Sequence, residues 1–199
     1  MTHHEAIEAY ILQHMDEESD YLKMLYRQAH LKLINPRMTS GHLQGRLLKM
    51  LVQLARPQRV LEIGTFAGYS ALCMAEGLGD GAVLHTYEID DELEDFTRPW
   101  IENSPYGNKV YFHIGNALEE VPRLGEVFDF VFMDGDKRQY MALILADNTL
   151  WDGHVVDKAY LNDRQTVAIN EFNAFVAADK RVEKLILPLR DGLTMMRKK

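Results

Sequence analysis

The sequence predicts an α/β fold in which a parallel, doubly wound sheet carries helices on both faces. Strand-like runs rich in β-branched and aromatic residues are separated mostly by helical patterns, which is the order that builds such a sheet. The runs are Arg59–Ile63, Val83–Tyr87, Val110–Ile114, Phe128–Met133, Leu143–Ala146 and Val182–Leu187. Beyond the last of them, two apolar runs flank Arg190-Asp191-Gly192, which predicts a closing antiparallel hairpin.

Helices are expected before the first strand. Apolar residues recur at helical spacing through residues 3–33 with a break near Asp16, which predicts two amphipathic helices. Ser40 is expected to cap a third helix, which Pro57 terminates. We expect a single domain, 1–199, with 1–37 as an N-terminal helical extension and 38–199 as the catalytic core.

Composition narrows the class of protein. The chain has 199 residues, of which 47% are hydrophobic, and this is enough for one sizeable core. A formal net charge of −8 argues against general binding to nucleic acid or to an anionic membrane. The lone cysteine, Cys73, excludes an internal disulfide. Since no apolar run is long enough to span a membrane and the first residues do not resemble a targeting signal, we expect a cytoplasmic protein.

The junction between the first strand and the next helix predicts a cofactor loop. Glu62 ends the strand, and Gly64 and Gly68 would let the backbone approach a ligand at the carboxyl edge of the sheet. An acid just before the loop would repel the phosphates of a dinucleotide but suits a cofactor with a cationic centre and an ammonium group. S-adenosylmethionine is therefore favoured over NAD, although such glycines also occur for structural reasons alone.

The next two strand ends support an adenosine cofactor. Glu88 follows the second strand about 20 residues after the glycine loop, where a carboxylate can accept hydrogen bonds from both ribose hydroxyls. Asn116 and Ala117 follow the third strand and are small enough to lie against an adenine. A simple turn explains these two residues equally well.

Acidic residues at two later strand ends predict a metal site. Asp134 ends the fourth strand, and Asp147 and Asn148 end the fifth. Carboxyl ends of neighbouring parallel strands converge, and two carboxylates with an amide oxygen form a hard ligand set suited to Mg²⁺, with Mn²⁺ or Ca²⁺ as alternatives. The competing interpretation is that Asp147 and Asn148 only cap a turn while Asp136 pairs with a neighbouring base.

Taken together, these motifs resemble the cation-dependent, caffeoyl-CoA and catechol type of S-adenosylmethionine O-methyltransferase, from about Met38 to Lys199. The resemblance implies a Rossmann-like, seven-stranded class I methyltransferase sheet. It implies metal ligation by Asp134, Asp147 and Asn148, with Lys137 as the candidate catalytic base. It places the cofactor on residues in and around the glycine loop and later strand ends, namely Thr39, Glu62, Gly64, Thr65, Ser70, Glu88, Ala117 and Asp136. Gly68 of the glycine loop and Asn116 after the third strand complete the candidate cofactor contacts.

The expected reaction is methylation of a catechol-like or hydroxycinnamoyl-type hydroxyl. Two adjacent hydroxyls can chelate the ion, which lowers a phenol pKa, and Lys137 can take the proton. Trp151 and Asp152 are candidate substrate contacts; Asp152 stands where plant relatives usually have an asparagine. Trp151 and Tyr69 could flank an aromatic ring or belong to the core. The resemblance also implies a homodimer.

Two alternatives stay open. The same chemistry could act on a hydroxylated tRNA base, with a basic face on the N-terminal helices made of Lys23, Arg27, Lys32, Arg37 and Arg46. A non-catalytic cofactor-binding domain is the more remote alternative.

The connection between the fourth and fifth strands is unexpectedly short. Only eight residues separate Asp134 from Leu143, whereas a parallel crossover normally needs a dozen or more and usually a helix. We therefore expect that roughly a dozen residues are missing from the sequence near Tyr140–Leu143.

Overall fold

The computed structural model describes residues 3–133, 143–160 and 162–199. Within them the α-helices are α1 (His3–Gln13), α2 (Asp20–Lys32), α3 (Gly41–Ala55), α4 (Tyr69–Gly77), α5 (Glu94–Glu102), α6 (Ala117–Leu124) and α7 (Arg164–Ala178). The strands are β1 (Arg59–Ile63), β2 (Val83–Glu88), β3 (Val110–Ile114), β4 (Phe130–Met133), β5 (Leu143–Ala146), β6 (Val182–Leu187) and β7 (Leu193–Lys198).

The strands form one seven-stranded sheet in the order β3-β2-β1-β4-β5-β7-β6. The strands β1 to β5 pair with one another in parallel, and β7 pairs antiparallel with both β5 and β6. The doubly wound sheet and the closing hairpin are thus confirmed. Strand bounds agree closely with the predicted ones, except that β4 begins at Phe130 rather than Phe128 and β2 extends to Glu88.

Alternate residues of the central strands enter two separate cores, one on each face of the sheet. Val60 and Phe130 pack with residues of α3 and α4, whereas Leu61 and Val131 pack with residues of α6 and α7. Strands buried on both faces are typical of parallel sheets covered by helices. This packing orders the carboxyl ends of β1, β2, β4 and β5 along one edge.

The N-terminal helices form as predicted, with a break between α1 and α2 that includes Asp16. Leu22 and Leu25 of α2 pack against Tyr69, Leu72 and Cys73 of α4. The predicted side-chain cap at Ser40 is wrong. Ser40 does occupy the N-cap position of α3, but its backbone is helical (φ −54°, ψ −35°) and its side chain makes no capping hydrogen bond. An N-cap side chain reaches the helix N–H groups from an extended backbone, which Ser40 lacks.

Parallel pairing of β4 with β5 holds over four residue pairs, from Phe130 with Leu143 to Met133 with Ala146. The predicted omission near Tyr140–Leu143 falls on the connection 134–142, which lies outside the described residues. Among the helices that the structure describes, none is long and apolar enough to cross a membrane.

Candidate active site

The loop after β1 lies at the carboxyl edge of the sheet and turns sharply into α4. Gly64 has a φ of +98°, and the N–H groups of Gly64 and Thr65 donate to the carbonyl oxygen of Tyr87 on β2 (2.9 and 3.2 Å). Gly68 precedes α4 with a φ of +80°, and a Cβ atom there would lie 3.2–3.3 Å from Ile101 and Thr97. Glycine is therefore favoured at Gly68 by the positive φ, and a Cβ atom would also be tight against its neighbours.

Glu88 organises this loop from the end of β2. Its carboxylate accepts hydrogen bonds from the backbone N–H of Phe66 (2.8 Å), of Ile89 (2.9 Å) and of Asp90 (3.1 Å). Phe66 has a φ of +47°, and the bond to Glu88 helps hold that left-handed conformation. A carboxylate offers about four acceptor sites, so these three bonds leave about one site, which can accept one ribose hydroxyl.

A cavity of about 340 Å³ opens beside Glu88. This size falls at the lower end of the range for small-molecule sites. Four of the predicted cofactor residues line it: Gly64, Glu88, Asn116 and Ala117. The remaining wall is mostly apolar and comprises Met38, Ile63, Phe66, Tyr87, Ile89, Gly115 and Leu118.

A shallow hollow adjoins the cavity and shares Gly64 with it. Thr39, Thr65 and Ser70, all predicted to contact the cofactor, line this hollow. The Thr39 side chain is buried, and its hydroxyl oxygen has no hydrogen-bond partner within the described part of the chain. Since a buried hydroxyl without a partner is costly, Thr39 fits a bound polar group of a ligand.

Glu62 lies behind the loop, not on the cavity wall. It is fully buried, and its two oxygens accept hydrogen bonds from the hydroxyls of Ser70 and Thr86 (2.5 Å each). Burial is the main cause that raises its pKa, to about 7, while the two hydroxyl bonds oppose the shift and the charge of Glu88 adds to it. Gly68 likewise lines neither the cavity nor the hollow described above, so direct cofactor contact by Glu62 and Gly68 stays a prediction.

Several wall residues were not among the predicted contacts, above all Met38, Phe66, Tyr87 and Ile89. Ile89 carries a usable signal in its position, because it directly follows the predicted ribose acid Glu88 in the sequence; the structure leaves it 74% exposed. Met38 precedes the predicted contact Thr39 and is also exposed, to 58%. Phe66 offers no such signal, because its position depends on a positive φ in the loop.

The end of β5 presents Asp147 and Asn148. Asp147 is buried and accepts hydrogen bonds from the Gln44 side-chain amide (2.5 Å) and from the backbone N–H of Asn148 (2.9 Å). Asn148 has a φ of +56°, and its side-chain amide donates to Asp191 (3.5 Å). Asp147 therefore contacts α3 as well as the turn that follows β5.

The other predicted chemical residues, Asp134, Asp136 and Lys137, lie outside the described residues. Within residues 3–133, 143–160 and 162–199, no three histidine, cysteine or acidic side chains form a metal-binding group. Asp147 and Asn148, two of the three predicted ligands, are consecutive residues after β5. The position of Asp134 relative to them stays a prediction.

The candidate substrate residues follow β5 in a short 3-10 segment. Trp151 is half-buried and its backbone N–H donates to the carbonyl oxygen of Asp191 (3.1 Å), whereas Asp152 is exposed. Both have positive φ values, +47° and +50°. Tyr69 is buried in the core with its hydroxyl bonded to Glu18, so the core interpretation holds for Tyr69.

The basic face proposed for tRNA loses a member. Arg46 is only 7% exposed and donates to Glu76 (2.6 Å), so it cannot offer its charge to a phosphate. Lys23 is paired with Glu17 at 2.6 Å. The prediction that Arg46 belongs to this basic face was wrong, because Arg46 is buried by contacts with α4, which is distant from it in the sequence.

Comparison with known proteins identifies the class. The O-methyltransferase family model matches residues 12–199. A caffeoyl-CoA O-methyltransferase of Petroselinum crispum is 34% identical, and the match covers 81% of this chain and 77% of that protein.

Solved structures agree with this assignment. The S-adenosylhomocysteine (SAH)-bound methyltransferase PaMTH1 of Podospora anserina has a TM-score of 0.88 at 26% identity, covering 98% of this chain and 95% of that one. An O-methyltransferase of Bacillus cereus in complex with SAH has a TM-score of 0.85 at 28% identity, covering 98% and 97%. The chain thus belongs to the O-methyltransferase family and is an S-adenosylmethionine-dependent O-methyltransferase of the caffeoyl-CoA type.

Proposed function

We propose that this enzyme requires a divalent cation, most simply Mg²⁺, and methylates a small catechol-like or hydroxycinnamoyl-type hydroxyl. The observation that carries the proposal is the pair Asp147 and Asn148, placed together at the carboxyl edge of the sheet. Gln44 of α3 is hydrogen-bonded to Asp147. Through this bond the end of β5 is connected to the segment that carries Thr39, which lines the hollow beside the cavity.

The residues fit both absent groups. For the cofactor, the cavity of about 340 Å³ offers space, and polar contacts are offered by the carboxylate of Glu88 and by the buried hydroxyl of Thr39, which has no partner among the described residues. For the cation, a carboxylate and an amide oxygen are hard donors of the kind that Mg²⁺ prefers. Asp134 would supply the third ligand.

When bound, S-adenosylmethionine supplies an electrophilic methyl group, and the divalent cation supplies charge that makes a neighbouring phenol more acidic. Asp147 and Asn148 would hold the cation, and Glu88 would accept bonds from the ribose. Lys137 would take the phenol proton on its Nζ atom. The protein otherwise contributes proximity, a term worth about 7–11 kcal/mol in well-oriented systems.

The acceptor is the part of the proposal that is most open to experiment. Purified enzyme should transfer labelled methyl groups to a catechol or a hydroxycinnamoyl thioester, and much less to the matching monophenol, which cannot chelate a cation through two oxygens. Asp152, exposed near the end of β5, would face the acceptor. Equal rates on catechol and monophenol, or labelling of tRNA alone, would contradict the proposed acceptor class.

We further propose a homodimer in the cytoplasm. Cys73 is buried and needs no oxidising compartment. Several large apolar side chains of the N-terminal region are exposed, and a second copy of the chain could cover them: Tyr10, Met24, Leu31 and Ile34. Sedimentation equilibrium should give twice the mass of the chain, and a monomer at micromolar concentration would contradict this.

A further inference from the structure

Gln44 makes a side-chain contact with the candidate metal ligand across a long sequence separation. It lies on α3 and is 1% exposed, and its Nε2 atom donates to Oδ2 of Asp147 at 2.5 Å. The backbone N–H of Asn148 donates to the other oxygen, Oδ1, at 2.9 Å. The two bonds act on different oxygens, so together they restrain the plane of the carboxylate.

Arg190 in turn holds Gln44. Its Nη1 atom donates to Oε1 of Gln44 at 3.3 Å, so the amide of Gln44 is bonded at both ends. The same guanidinium donates to the carbonyl oxygens of Thr39 (3.0 Å), Ser40 and Arg37 (3.1 Å). Arg190, from the β6–β7 loop, therefore contacts both residues 37–40, next to the hollow, and Gln44, the hydrogen-bond partner of Asp147.

The backbone of Arg190 is in the left-handed region, with a φ of +49°. A residue with a Cβ atom is strained there, and glycine would be easier. Since a strained conformation persists only where its surroundings determine it, the contacts of the guanidinium account for an arginine at this position.

We propose that Gln44 is a positioning residue that orients Asp147 for the divalent cation, and that Arg190 holds Gln44 in place. The inference rests on the proposed cation dependence. Partners that orient metal ligands typically change metal affinity by about 10- to 100-fold when they are removed.

The test measures Mn²⁺ binding directly, from the EPR signal of the free ion in the presence of SAH, so it needs no turnover. Gln44→Met keeps the length of the side chain but removes the donor to Asp147. We expect it to weaken Mn²⁺ binding by about 10- to 100-fold while the affinity for SAH stays within about twofold. Excess Mn²⁺ should then restore turnover, which a general loss of structure would not allow.

Arg190→Gly provides a second variant, because it relieves the strained φ and lies on an exposed loop, so folding is expected even where Gln44→Met does not fold. It should weaken Mn²⁺ binding by about 3- to 10-fold, less than Gln44→Met since the direct donor remains. Arg56→Gly is the matched control. Arg56 has the same φ of +49° and is exposed at the end of α3, so its replacement should leave Mn²⁺ affinity unchanged.

Unchanged Mn²⁺ affinity in a folded Gln44→Met protein would overturn the inference while leaving cation dependence intact. If that variant does not fold, unchanged affinity in Arg190→Gly overturns it. A wild-type chain that binds SAH but no Mn²⁺ would contradict the cation dependence itself, and with it the role of Gln44.

Discussion

Replacing Glu62 by glutamine should alter how the stability of the protein depends on pH. Glu62 is fully buried, and burial raises its pKa from 4.5 to about 7. The folded chain thus keeps the Glu62 proton up to about pH 7, whereas the unfolded chain loses it near pH 4.5. The contribution of Glu62 to stability is therefore fully present below pH 4.5, falls as the pH rises, and is lost above about pH 7.

The size of the effect follows from the shift. One pKa unit corresponds to about 1.4 kcal/mol, so the shift of Glu62 corresponds to about 3 kcal/mol. Glutamine cannot ionise and can still bond to the hydroxyls of Ser70 and Thr86 by letting one of them accept. We therefore expect the free energy of unfolding of Glu62→Gln, relative to wild type, to rise by about 3 kcal/mol between pH 4.5 and pH 7.5.

Urea denaturation of the cofactor-free protein at half-unit pH steps would measure this difference. Glu92→Gln serves as a control, because Glu92 is exposed and the same chemical change is made. A difference between Glu62→Gln and wild type that stays constant across the range would refute the reasoning, since it would mean that Glu62 ionises alike in the folded and unfolded chains.

Three further predictions concern the cofactor, the base and the hairpin. Glu88→Ala should weaken SAH binding by about 1.5–3 kcal/mol in calorimetry, because ribose hydroxyls lose a charged acceptor, and an unchanged dissociation constant would contradict the assignment. Lys137→Met should lower the turnover number by about 10²- to 10⁴-fold with little change in SAH affinity, and a wild-type rate across pH 6–9 would assign deprotonation elsewhere. Gly192→Ala should lower the free energy of unfolding by about 1–3 kcal/mol, because a Cβ atom would lie 2.4 Å from Cγ of Leu150 at a φ of +90°. Gly79→Ala is the control and should not lower it, because a Cβ atom there would have nothing within 4 Å. Equal stabilities of the two variants in urea would contradict this packing.

Much of the fold could be predicted because its signals are local. β-Branched and aromatic runs mark β1, β3, β5 and β6 at the bounds that the structure gives. The cofactor side was also accessible, since ligands of such sheets bind at the carboxyl ends of the strands, and the acid Glu88 follows directly from that rule.

The contacts that could not be predicted join distant parts of the chain. Gln44 meets Asp147 across 103 positions, and Arg190 meets Ser40 across 150. Neither contact leaves a trace in periodicity or in local motifs. The error at Ser40 has a different cause, because residue type suggests an N-cap while the backbone angles decide whether the side chain can act as one.

Cation dependence is the central claim, and removal of divalent ions tests it most directly. With SAH affinity followed by calorimetry and methyl transfer to a catechol followed by label, chelation should abolish turnover, leave SAH binding nearly unchanged, and be reversed by added Mg²⁺. Full turnover in excess chelator, with the protein verified to be free of metal, would contradict the claim.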